Sequence, residues 1–179
     1  MKKVLKSIGG EFIEKDLFYT CIQNTYERTL LVDAKMFGIN YLDNIVVIEN
    51  KNLIEDMGLE SFADVINDNI SNGKINVNIL SSVYSNGTWK ESFIVVEDME
   101  AFLANERIAF AILSHESGHI QNRTHDEFIA DEYAIKLGYK NELLSFLEND
   151  ALNFANIFTS IGYNAKEQLD SRIRRIKRA

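Results

Sequence analysis

The chain has 179 residues, 46% of them apolar and 11% aromatic, enough for one domain with a hydrophobic core and too short to expect two. Its formal charge of -8 argues against wrapping nucleic acid or coating anionic lipid by bulk charge. A single cysteine, Cys21, excludes an internal disulfide and a four-cysteine zinc site, so a bound metal must be held by His, Asp or Glu, and only three histidines exist.

No run approaches the ~18 apolar residues of a membrane span, and the first residues, MKKVLKSIGGEF, lack the ~7 to 15 apolar residues of a signal peptide core. A reducing, cytoplasmic setting is therefore expected. Phe18, Cys21, Ile22, Thr25 and Thr29 keep helical spacing across residues 14–30. Residues 44–49, NIVVIE, predict a short buried strand, and 58–70 a helix stopped by Ser71-Asn72-Gly73. Alternation over Ile75, Val77, Ile79 and Val83, then Asn86-Gly87, then a β run from Trp89 to Glu97, predicts a hairpin. Four helical stretches follow, at 99–121, 126–137, 142–158 and 165–177. The expected fold is α+β: a small twisted sheet with a hairpin in the amino-terminal half, packed on a central helix and a helical carboxyl-terminal half. With no repeat or linker, residues 1–179 are read as one domain.

Two of the three histidines fall four residues apart, as His115-Glu116-Ser117-Gly118-His119. On a helix, positions i and i+4 share a face, so both imidazoles can reach one metal while Glu116 projects toward a metal-activated water. A third ligand is needed, and the stretch NRTHDEFIADEYA offers His125, Asp126, Glu127 and Asp131. Glu127 and Asp131 are themselves i and i+4 on the next helix. The first could ligate metal while the second accepts the N–H of a ligating imidazole.

These residues resemble the gluzincin zinc peptidases. The helix IAFAILSHESGHI and the pattern Glu127-x-x-Ala130-Asp131-x-x-Ala134 are most similar to the branch of prenyl-protein and heat-shock-type membrane endopeptidases and their small soluble relatives, the minigluzincins. The resemblance covers roughly residues 106–138. It implies zinc bound by His115, His119 and Glu127, Glu116 as general base and Asp131 orienting His115. The spacing His115, His119, Asn122, His125 also resembles the metzincin motif, which would make His125 the third ligand instead.

A zinc-dependent endopeptidase acting on polypeptide substrates is the expected function. The alternative is a peptidase-derived binding or structural protein that holds zinc without turnover. Residues 92–97 are the expected sheet beside the cleft, where substrate adds as a strand. Tyr133, Tyr139, Tyr163 or an arginine are the candidates for stabilising the oxyanion. Five cations lie between Arg172 and Arg178, leaving the preceding chain at -13. Leu169, Ile173 and Ile176 keep helical spacing, so the cations are expected on a solvated face, with docking of nucleic acid or an acidic partner as the lesser reading. The composition suits a bacterial or phage protein acting inside a cell or a particle.

Overall fold

The structure, a computed structural model, describes residues 10–13, 28–50, 81–84, 89, 92–96, 98–151, 155 and 164–179. Strands β1 (Gly10–Ile13), β2 (Thr29–Asp33), β3 (Asn44–Glu49), β4 (Ser81–Tyr84) and β5 (Phe93–Val96) form one sheet in the order β1-β2-β3-β5-β4. β3 and β5 run parallel, and every other neighbouring pair runs antiparallel. A 3-10 turn (Ala34–Phe37) joins β2 to β3, and the described α-helices come after the sheet: α1 (Met99–Ala104), α2 (Glu106–Asn122), α3 (Glu127–Lys136), α4 (Lys140–Phe146) with a π-helical turn at Leu147–Ala151, and α5 (Ala165–Arg178). This is the α+β arrangement expected. No helix among the described residues is long and apolar enough to cross a membrane.

The central strands read as unbroken apolar runs because both of their faces are buried. Ile45, Val47, Ile94 and Val96 join the main core, and the intervening Ile48 and Val95 are also closed off from solvent. That core continues through Leu30, Val32 and Phe37 to Phe102, Ile112 and Leu113. A second core joins Ala111 and Ala134 to Leu143, Leu169, Ile173 and Ile176. Helix α2 lies between the two, and residues 111–120 are all buried. A helix enclosed on every side is a rigid platform for any chemistry its side chains carry.

Glu49 ends β3 fully buried and would be costly there without partners. Arg28 grips it with Nε and Nη2 at 2.9 and 3.1 Å, and the Met99 N–H donates to it at 3.0 Å. The carboxylate thereby ties the sheet to the start of α1.

Several expectations shift. Thr29 and Leu30 belong to β2, not to a helix; residues 14–27, like the helix expected at 58–70 and the strand start at 75–80, lie outside the described residues. The hairpin strands do pair antiparallel, from Ser81↔Val96 to Tyr84↔Phe93, so the second strand begins four residues after Trp89. Asn86-Gly87 lies outside the described residues. The helix expected at 99–121 is two helices. Asn105 leaves the helical region at φ -114, ψ 102 and accepts from the N–H groups of Arg107 and Ile108, starting α2 afresh. Strand β5 is interior, with β4 beyond it, and α2 packs against β4. A further strand on that side would pair with β4 rather than with residues 92–97.

Candidate metal centre

Helices α2 and α3 form a tight antiparallel-type hairpin whose turn is built by named groups. Arg123 adopts the left-handed conformation at φ 53, ψ 49, and its N–H donates to the His119 and Ile120 carbonyls. Asn122 stays helical and donates from its side chain to the Gly118 carbonyl at 2.8 Å. Asp126 then caps α3, accepting from the N–H groups of Phe128 and Ile129. That role commits Asp126 to the turn.

The two helices approach closely because Gly118 has no side chain. A Cβ there would fall 2.8 Å from the Ala130 Cα, 2.9 Å from the Tyr133 Cβ and 3.0 Å from the Ala130 carbonyl oxygen. Glycine on α2 and alanine on α3 therefore set the separation at which α3 can carry Glu127 back to the α2 histidines.

His115, Glu116 and His119 are buried, with potential ligand atoms within 4.8 Å of one another, so this group could hold a metal ion. The imidazoles meet edge to face, with centroids 4.9 Å apart. The Glu127 carboxylate faces both: Oε2 lies 3.2 Å from His115 Nε2 and Oε1 lies 3.5 Å from His119 Nε2. Glu127 is half-exposed, placing the open side of the site there.

The opposite ring nitrogen of each histidine faces an oxygen. Asp131 Oδ1 lies 3.0 Å from His115 Nδ1, and the Thr124 carbonyl accepts from His119 Nδ1 at 3.0 Å. A carbonyl oxygen can only accept, so Nδ1 of His119 carries a proton and Nε2 is the ring atom turned toward Glu127. The Asp131 carboxylate beside Nδ1 leaves His115 Nε2 turned the same way, toward Glu127. Asp131 lies beside His115, in a contact outside hydrogen-bond geometry, and the carbonyl on His119 comes from the turn, not from a side chain.

Between the two candidates for a third ligand, the structure brings Glu127 to the paired Nε2 atoms. His125 is exposed, and its ring lies 4.8 Å from that of Trp89 and 6.5 Å from that of His119. Trp89 itself is buried in the core with φ 59, an unusual backbone conformation for a bulky residue. Of the tyrosines considered, Tyr133 donates to the Phe37 carbonyl at 2.7 Å and Tyr139 stacks on Phe110. Tyr163 lies outside the described residues.

One residue reaches the site against expectation. Arg172 of α5 is only 16% exposed; its Nε and Nη2 bind Asp131 at 2.9 and 2.7 Å, and its Nη1 binds Glu127 Oε2 at 2.7 Å. It is not on a solvated face. The signal was in the spacing: 169, 172, 173 and 176 form one i, i+3, i+4, i+7 stripe, so Arg172 sits within the apolar face, and a buried cation there requires anionic partners. Arg175 and Lys177 are also paired, with Glu132 and Glu148, the latter at 2.6 Å.

These contacts polarise the metal-free site. Burial alone lowers the basicity of His115, but the Asp131 and Glu127 carboxylates outweigh it and push its pKa up to about 9. Burial raises the Glu127 and Asp131 carboxyls, yet His115 and Arg172 beside both, with His119 beside Glu127, hold them below the usual carboxylate range. The chain matches no protein-family model, no curated protein and no solved structure, so the site must be interpreted from its own geometry.

Proposed function

We propose that the protein is a zinc-dependent endopeptidase, with His115, His119 and Glu127 holding the ion and Glu116 acting as general base. One observation carries this reading: two imidazole Nε2 atoms and a carboxylate face one another around a buried glutamate, while Asp131 and the Thr124 carbonyl hold the outer edges of the rings. The donor set of two nitrogens and one oxygen suits zinc in a catalytic site with a position left for water. The second-row partners are those that metal-ligating histidines need.

When bound, zinc supplies Lewis-acid polarisation of water and of a substrate carbonyl. Glu116, next to His115 on the same buried helix, accepts a proton from the attacking water and returns it to the leaving amine nitrogen. The turn carbonyl holds His119 by a hydrogen bond and the Asp131 carboxylate lies against His115, so these donors need little reorganisation. Among the described residues β4 is the outermost strand on the side of α2, and an extended polypeptide pairing with it would have its backbone fixed beside that helix.

Glu116→Gln separates catalysis from metal binding, because the amide keeps the shape and cannot take the proton. The expected result is about one zinc per chain, as in the unmodified protein, with chelator-sensitive cleavage of a peptide library lost. Cleavage that persists in Glu116→Gln contradicts the assigned base. Zinc content that survives His119→Ala contradicts the assigned site.

A further inference from the structure

Arg172 comes from α5, 41 residues after Asp131, and no spacing in the His-Glu motif requires it. Its planar guanidinium spans contacts that a point charge cannot make together: two hydrogen bonds to Asp131 and an ion pair with Glu127. Asp131 Oδ1 is shared between Arg172 Nη2 and His115 Nδ1, and Glu127 Oε2 is shared between Arg172 Nη1 and the approach to His115 Nε2. Glu127 Oε1, which faces His119, is the oxygen that Arg172 leaves free. The apolar neighbours Leu169, Ile173 and Ile176 pin the surrounding turns of α5 into the second core, so the guanidinium is held from both directions.

Charge points the same way. Glu116, Glu127 and Asp131 bring three negative charges to a largely buried place, a divalent ion offsets two, and Arg172 is the cation present to offset the third. A half-exposed glutamate with no such partner would be free to swing into solvent and lose side-chain order.

Resting on the metal-site reading above, we propose that Arg172 is a positioning residue of that site: it clamps Glu127 and Asp131 together across one turn of α3, holds the Glu127 carboxylate in front of the imidazole pair, and so makes the carboxyl-terminal helix part of the metal-binding unit. It acts through Asp131 and Glu127, the two carboxylates it contacts. Its contribution is to metal affinity and coordination geometry rather than to folding alone.

The test compares the full-length protein with Arg172→Gln and Arg172→Lys. Zinc affinity is measured by chelator competition, the cobalt(II) visible spectrum reports coordination, and thermal unfolding of the metal-free form reports folding. Arg172→Gln is expected to bind zinc about 10- to 100-fold more weakly, the range for loss of a partner that orients a ligand, with altered cobalt bands. Arg172→Lys, which keeps the charge and loses the fork, is expected to lose at least about threefold. In a Glu127→Gln background, Arg172→Gln should cost clearly less than it does alone, because the carboxylate it holds is already gone. A folded Arg172→Gln or Arg172→Lys with unchanged zinc affinity and cobalt spectrum overturns the proposal. If Arg172→Gln does not fold, the lysine variant decides by the same criterion. Failure of the unmodified chain to bind zinc, or binding that survives His115→Ala, overturns the underlying site and this proposal with it, whereas normal wild-type binding with indifferent Arg172 variants overturns the clamp alone.

Discussion

Gly118→Ala opposes two effects of known sign. Alanine in the middle of α2 favours the helix by about 1 kcal/mol over glycine. The added Cβ, however, would sit 2.8 Å from a backbone Cα and 3.0 Å from a backbone oxygen of α3, where ordinary carbon contacts are about 3.5–4.0 Å. Neither atom belongs to a flexible side-chain end, so α3 must move away by roughly 1 Å. Overpacking of this kind costs about 1–3 kcal/mol, and because backbone must shift, the upper part of that range applies. The net expectation is a loss of about 1–2 kcal/mol in urea unfolding of the metal-free protein. The same displacement carries Glu127 away from His115 and His119. Coordination distances tolerate only about 0.2 Å, so zinc affinity should fall tenfold or more in chelator competition. A variant more stable than its parent, with zinc affinity intact, would show that the α2–α3 contact does not set the site.

Two other outcomes follow from the site. In the chelated protein the folded-state pKa of His115 lies above its ordinary value, at about 9, so its stabilising contribution is complete below about pH 6.5 and is lost as pH rises through 9. Asp131 and Glu127 are shifted the other way, and their contribution is lost on acidification. Metal-free stability should therefore be greatest near pH 5–6.5 and decline by on the order of 3 kcal/mol toward pH 10; chemical unfolding that is flat over the alkaline range contradicts the His115 ion pairs. His125→Ala should remove a ring contact with Trp89 worth about 0.5–1.5 kcal/mol and change zinc affinity less than threefold. A tenfold loss would transfer the third-ligand role to His125.

The parts of the molecule legible in the sequence were those governed by short-range spacing. NIVVIE is a strand from Asn44 to Glu49, and Leu169, Ile173 and Ile176 face a core. His115 and His119 share a helix face, and Glu127 and Asp131 lie one turn apart on the next helix because Asp126 caps it. The break at Asn105 escaped notice because the apolar pattern continues across α1 and α2, although Asn105 before Glu106 carries the cap chemistry. The left-handed cap fell on Arg123 because Asn122 spends its amide on the Gly118 carbonyl. Arg172 escaped for a different reason. Its partners are 41 and 45 residues away, so the stripe can show that the cation is buried while only the tertiary structure shows which carboxylates it meets.

Gly118 had a role that the motif alone does not explain. In the sequence it is one of two variable positions between Glu116 and His119, whereas in the fold it is where two helices touch. The close contact links packing to function, since the same few tenths of an ångström that decide whether α3 fits also decide whether Glu127 reaches the imidazoles.

The most direct test of the central claim is anomalous diffraction at the zinc edge from crystals of the protein grown with zinc. The site described here predicts one strong peak per chain, bounded by His115 Nε2, His119 Nε2 and a Glu127 oxygen, with Asp131 and Thr124 behind the rings. A peak held by His125 in place of Glu127, or no peak between the two α2 histidines, would contradict it.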